Sequence, residues 1–206
     1  MKKICLSLLV AGAITSAFAN WGVEAGVKSA SGSEEKILGV QPISELVGDG
    51  GTETYVEVYK RWNAPQIGVR FTAGDDMYKA ELATKLHMLE SDHFGAYLSF
   101  GFGLGQYEGG TKTISTNVTR QGYVTQAPGT SFANRTTVNM EDAQFVTFSA
   151  GIGASYKFTK SLALNVGYEY ERRSLEIDYS FGGNRVESSG INQDFHGVRA
   201  GLSYTF

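Results

Sequence analysis

The chain has 206 residues, with 18 Lys and Arg against 21 Asp and Glu for a formal net charge of −3. Such a mildly acidic balance, with no basic stripe, excludes an electrostatic nucleic-acid binder. There are 26 glycines, 12 phenylalanines and 11 tyrosines but only 3 prolines, a mixture that favours strands and tight turns over helices.

At the N-terminus, Lys2 and Lys3 precede an apolar run from Ile4 to Ile14, and Ala17-Phe18-Ala19 forms a small-x-small site. This pattern predicts an export signal over residues 1–19, cleaved to leave Asn20 first. The run is too short for a helical span of ~20 residues. The single cysteine, Cys5, lies inside this segment and away from the cleavage point, so it is not a lipid-attachment site. Residues 20–206 then carry no thiol for a disulfide, a thiolate metal site or a nucleophile. Loss of Lys2 and Lys3 takes the net charge from −3 to about −5. Residues 20–206 suit one domain, and no stretch among them is long and apolar enough for a membrane helix.

Period-two alternation then recurs eight times. Trp21, Val23, Ala25 and Val27 oppose Gly22, Glu24, Gly26 and Lys28. Val56, Val58 and Trp62 oppose Tyr55, Glu57, Tyr59 and Arg61, and Ile67, Val69 and Phe71 oppose Gln66, Gly68, Arg70 and Thr72. A fourth segment sets Tyr78, Ala80, Leu82, Leu86 and Met88 against Lys79, Glu81, Lys85 and His87. In the fifth, Phe94, Ala96, Leu98, Phe100, Phe102 and Leu104 alternate with small or polar residues, mostly glycine. The sixth runs from Val146 to Phe158, and the seventh opposes Leu162, Leu164, Val166, Tyr168 and Tyr170 to Asn165, Gly167, Glu169, Glu171 and Arg173. The last places Val198, Ala200, Leu202, Tyr204 and Phe206 opposite Phe195, Gly197, Arg199, Gly201, Ser203 and Thr205. After Arg172, the apolar residues Leu175, Ile177, Tyr179 and Phe181 take the other parity, which predicts a bulge or a strand extension outside a membrane.

The links alternate in length. Asn63-Ala64-Pro65, Ser91-Asp92-His93 and Thr159-Lys160-Ser161 are tight, whereas polar links near 30–51, 106–143 and 180–191 are longer, with a short one at Ala73 to Met77. An even strand number with short turns on one side and long loops on the other describes an all-β, eight-stranded antiparallel up-and-down transmembrane β-barrel. The longest link, 106–143, is expected to be mobile or to extend the strands beyond the membrane.

Alternation alone does not say whether the apolar face meets lipid or a core. The apolar runs match the ~9–11 residues of a tilted membrane strand. Trp21, Trp62, Phe94, Tyr156, Phe158, Tyr204 and Phe206 gather at strand ends on the apolar face, as rings at a water–lipid interface do. The polar face is glycine-rich, which suits a narrow interior. Glu24, Glu57, Glu81, Glu169 and Glu171 would then share the lumen with Lys28, Arg61, Arg70, Lys79, Lys85, Arg173 and Arg199. Eight strands leave room only for side chains, so these charges are expected to pair and plug the barrel.

The segment Gly151 to Tyr170, with sequence GIGASYKFTKSLALNVGYEY, resembles the penultimate hairpin of the OmpA/OmpX/opacity-type outer-membrane barrels, the "porin family" proteins. His196 to Phe206, HGVRAGLSYTF, is similar to their terminal strand. The resemblance implies a Gram-negative cell outer membrane, with lipid and lipopolysaccharide around the wall. It also implies recognition by the barrel-assembly machinery through the strand ending at Phe206. No peptidoglycan-binding domain follows the barrel, so tethering to the cell wall is not implied.

An enzyme is weighed because some small barrels modify lipid A. Lipid A deacylases of this size use His, Ser and Glu on the outer wall, with His and Ser two residues apart. Here His87 is followed by Met88-Leu89, His93 by Phe94-Gly95 and His196 by Gly197-Val198. Asp194 with His196, near the outer rim, is the one constellation worth testing. Gly101-Phe-Gly-Leu-Gly105 lacks the helix of a nucleotide loop and fits the strand pattern. Three histidines in separate segments have no metal-ligand spacing, and Asn117-Val-Thr119 and Asn134-Arg-Thr136 are chance sequons in a bacterial chain. Glu34, Glu35, Glu45 and Asp49 make the first long loop acidic. The expectation is a non-enzymatic barrel with no catalytic, cofactor or metal site, supporting membrane integrity or binding host surface molecules through loops 30–51 and 106–143. A narrow channel is the alternative.

Overall fold

The computed structural model describes residues 20–32, 36–37, 41–42, 50–62, 65–116, 134–181 and 184–206. The expected leader (1–19), the acidic residues Glu34, Glu35, Glu45 and Asp49, and the sequon residues Asn117 and Thr119 lie outside them.

Twelve strands and no helix are present among the described residues: β1 (Trp21–Gly32), β2 (Lys36–Ile37), β3 (Gln41–Pro42), β4 (Gly50–Arg61), β5 (Pro65–Ala73), β6 (Met77–Glu90), β7 (Phe94–Tyr107), β8 (Gly110–Thr116), β9 (Asn134–Met140), β10 (Ala143–Lys157), β11 (Leu162–Phe181) and β12 (Asn184–Thr205). Eight form the barrel, each antiparallel to both neighbours in the order β10-β7-β6-β5-β4-β1-β12-β11, and a β10–β11 pairing closes it. The first and last staves meet, Gly22 opposite Thr205 and Val23 opposite Tyr204. Closure removes every edge in the spanning part, so each backbone donor there has a partner without water.

The alternation read from the sequence becomes an inside-out protein. Leu82, Leu104, Ile152 and Leu202 are 58, 64, 61 and 54 % exposed, whereas Glu24, Glu57 and Glu171 are fully buried. Three inward tyrosines set the bore. Tyr55 covers Gly26 and Gly201, Tyr59 covers Gly22, and Tyr97 covers Gly153; a Cβ at any of these glycines would collide with the tyrosine. Glycine is required there for close approach.

Strand lengths are unequal. β5 has 9 residues, against 20 in β11 and 22 in β12. At ~3.3 Å per residue and a tilt near ~40°, β5 rises about 23 Å, roughly the apolar band of a barrel, while β11 rises about 50 Å. The wall is therefore tall on one side. The 106–143 link supplies part of it: β8 and β9 pair from Gly110 opposite Met140 to Thr116 opposite Asn134, and Met140 and Asn139 pair with Tyr179 and Ser180 of β11. This is the strand extension rather than a mobile loop over those residues.

One expectation changes. The long link expected near 180–191 is short, because β11 continues to Phe181 and β12 starts at Asn184. The strand extension expected from the parity switch after Arg172 is present, with Glu171, Arg173, Leu175 and Ile177 all facing inward. What reverses is polarity, with the inside becoming apolar as the outside meets water. A register shift between Leu175 and Glu176 against β12 accompanies it.

Candidate functional site

Six lumen carboxylates and six lumen cations are buried: Glu24, Glu53, Glu57, Glu81, Glu169 and Glu171 with Lys28, Arg70, Lys79, Lys85, Arg173 and Arg199. Period-two geometry delivers them, because each sits on an inward position of its strand. They form one connected network. Lys85 Nζ lies 2.5 Å from Glu24 and 3.7 Å from Glu57. Arg70 joins Glu57 at 3.1 Å, Glu169 at 3.2 Å and Glu81 at 3.9 Å. Arg199 meets Glu169 at 2.9 Å. Lys28 bridges Glu169 and Glu171, and Lys79 bridges Glu171 at 2.6 Å and Glu81 at 3.3 Å. Arg173 ties Glu171 at 2.6 Å to Glu53 at 2.5 Å.

Neutral donors add further hydrogen bonds. Tyr55 donates to Glu24 at 2.8 Å, Gln66 to Glu57 at 3.0 Å, Asn165 to Glu24 at 2.7 Å and Thr147 to Glu171 at 3.1 Å. Isolated charges so deep would be costly, but mutual pairing with extra hydrogen bonds offsets their desolvation. Equal numbers of each sign leave the lumen without a net charge to draw ions in.

Above the charges the lumen is apolar. Met77, Tyr107, Met140, Ala143, Phe145, Leu175 and Ile177 pack as one buried cluster, with Ile191 against it. Arg173 is the junction. Its guanidinium lies 4.2 Å from the Phe195 ring and 5.3 Å from Phe145 while donating to the Tyr107 hydroxyl at 2.6 Å. Cation–π contact lets a charge end beneath an apolar cap.

The tight-turn end carries the expected aromatic belt. Trp62, Phe94, Tyr156, Phe158 and Tyr204 are exposed, with edge contacts Phe94–Tyr156 at 5.0 Å and Tyr156–Phe158 at 5.2 Å. Lys60 lies over Trp21 and Trp62 at 5.8 and 5.3 Å. At this rim Arg61 pairs with Glu90 at 2.5 Å, and Lys157 pairs with the same carboxylate. Arg61 is thus a rim residue and not part of the plug, because its strand ends where water reaches it. Burial alone would raise the Glu90 carboxyl, but hydrogen bonds from Lys157 and Arg61 outweigh it and hold the pKa at about 2.

The three histidines are apart. His87 is half-buried in the lumen against Tyr97, with ring centroids 6.0 Å apart. His93 stacks beside Tyr156 in a tight turn. His196 and Asp194 do share the outer wall of β12, but tyrosines of β11 engage them. Tyr168 Oη lies 3.1 Å from His196 Nδ1, and Tyr170 donates to Asp194 at 2.6 Å. Gly101, Gly103 and Gly105 face inward against Ser149, Glu81 and Phe145, as small-residue packing requires.

With that geometry established, the chain superposes on the crystal structure of neisserial surface protein A with a TM-score of 0.52 and 14% identity, over 91% of this chain and 98% of that one. The fold is that of a small outer-membrane β-barrel. A likeness to the outer-membrane protease OmpT of Escherichia coli, at TM-score 0.44 and 11% identity over 95% and 99% of the two chains, is too low to define a shared fold. No family model and no curated protein matches the sequence.

Glu53 was not among the lumen charges expected from the sequence. It stands one inward step beyond the last apolar residue of its segment, where Thr52 and Thr54 flank it and alternation gives no signal. The apolar cap was also missed as a unit, because Met77, Tyr107, Met140 and Ala143 fall in stretches read as links while Leu175 and Ile177 were read apart from them, as a bulge or strand extension.

Proposed function

We propose that this chain is an exported, non-enzymatic outer-membrane protein with a structural and surface-interaction role, its filled barrel holding extracellular loops above the membrane. The observation that carries this reading is the lumen, where twelve interlocked charges lie beneath an apolar cap. An eight-stranded barrel has no spare bore for a wide channel once its interior is occupied. The tall side of the wall, β11 and β12 with the paired β8 and β9, supports the second half of the proposal, since these strands continue past the apolar belt. Lipid and lipopolysaccharide around the wall, the barrel-assembly machinery at the strand ending in Phe206, and host surface molecules at the loops are the partners this role implies. Residues 1–19 serve as the cleaved leader in this reading.

The test is a planar-bilayer recording of the refolded protein, paired with cell-surface binding by a form in which residues 117–133 are replaced by a short Gly-Ser turn. Absence of conductance steps, with binding lost while the folded, heat-shifting gel band persists, is the expected result. Steady conductance steps would replace this reading with a channel, and unchanged binding would remove the loop from the role.

A further inference from the structure

Where the apolar wall ends on the long-loop side, just beyond Val166 and Val198, β11 and β12 carry a polar and aromatic patch that the plugged lumen does not use. Tyr168, Tyr170, Arg172, Asp194 and His196 all face outward. The rings of Tyr168 and His196 are stacked, 22° apart at 6.2 Å, and Tyr170 leans on His196 at 5.2 Å. Arg172 lies 4.0 Å from Asp194 through Nε and is 52 % exposed. Across the other seam, Ser31 of β1 is the register partner of His196 and also points outward.

Arg172 is distinctive by position. Among the residues with described side chains, the other cations lie in the lumen or at the tight-turn rim, so this is the one Lys or Arg facing outward at this end of the wall. Asp194 and His196 facing hydrocarbon would be costly, which sets their depth at the headgroup layer rather than the acyl chains.

We propose that this patch binds the headgroup of a phosphorylated glycolipid in the surrounding leaflet. The chemistry divides among the residues. Arg172 offers its terminal N–H pair to a phosphate, a charge-assisted and geometrically matched contact. Asp194, already held by Tyr170, accepts from sugar hydroxyls, and Ser31 adds a hydroxyl at the β1 seam. The stacked Tyr168 and His196 rings give a flat platform, and Val166 and Val198 below them receive the acyl chains. A plain anionic phospholipid would need Arg172 alone; the carboxylate and the ring platform are what select a sugar. The inference rests on the outer-membrane reading above.

The test presents delipidated, detergent-folded protein with lipid A, dephosphorylated lipid A or phosphatidylglycerol, and counts retained lipid by native mass spectrometry. The forms compared are wild type, Arg172→Ala/His196→Ala, and Lys60→Ala at the opposite rim. Wild type and Lys60→Ala are expected to retain lipid A, with the double variant weaker by about tenfold, the loss of one good polar contact. Equal retention by all three overturns the site. Phosphatidylglycerol held as tightly as lipid A overturns sugar recognition, and full retention of the dephosphorylated form overturns the role of Arg172. The heat-shift of each folded form is scored alongside; if wild type shows none, the barrel reading itself fails, separately from the lipid site.

Discussion

The lower and upper parts of this barrel share one continuous wall yet have opposite interiors. Along β11, Glu169, Glu171 and Arg173 point inward below, and Leu175 and Ile177 point inward above, on the same parity of the same strand. Outside, Val166 and Tyr168 give way to Ser174 and Glu176. Nothing in the backbone changes at the crossing except a register shift against β12. The lesson is that a strand does not have a core face; the surrounding solvent chooses one. Lipid demands an apolar exterior and so leaves the polar residues to satisfy one another inside, whereas water permits the ordinary arrangement.

The largest expected effect breaks the lower interior. Glu171 accepts from Lys28, Lys79, Arg173 and Thr147. Its replacement by Ala leaves several buried cations short of a partner, and the expected loss is about 3–5 kcal/mol. Urea unfolding of the barrel refolded into lipid vesicles, followed by gel shift, would read it. A loss under about 1 kcal/mol, the scale of an exposed pair, would mean the network is not the support described.

A sharper contrast uses the outer face. Val166→Arg places a charge in the apolar belt and is expected to cost about 2–4 kcal/mol, while Glu176→Arg, five inward–outward alternations further along the same face of the same strand, should stay within about 0.5 kcal/mol. Equal costs in the same vesicle assay would move the membrane boundary.

The smallest effect lies at the tight-turn rim. Because the Glu90 carboxyl is held at about 2, its folded-state pKa is depressed. Its contribution is present above the ordinary carboxylate range and is lost as pH falls toward 2. Glu90→Gln should therefore be slightly less stable than wild type at neutral pH, with the two converging between about pH 4.5 and pH 2. A gap that persists to the lowest pH would assign the difference to packing rather than charge.

Much of this was legible in the sequence because the membrane enforces a simple rule. Eight alternating segments, the aromatic belt and all but one of the buried lumen charges follow from period two alone. The exceptions share a cause. Arg61 and Glu53 sit at strand ends, where the apolar partner residues that define a face run out. The β8 and β9 segments, GTKTIST and NRTTVNM, have only Ile114, Val138 and Met140 as apolar residues, too few to show a period-two pattern. The pairing of Tyr168 with His196, and of Tyr170 with Asp194, depends on the register between β11 and β12, which is a property of two strands and cannot be seen in either.

The connected lumen also has a consequence for how such a sequence changes over time. Lipid has no fixed shape, so Leu82, Leu104 or Ile152 needs only to remain apolar, and neighbouring positions are free to drift independently. A lumen charge is different, because exchanging Glu171 strands its partners unless one of them changes in the same lineage. Substitution inside the barrel must therefore proceed in compensated pairs while the exterior wanders one residue at a time. A fold kept under those terms can persist through far more sequence change outside than in.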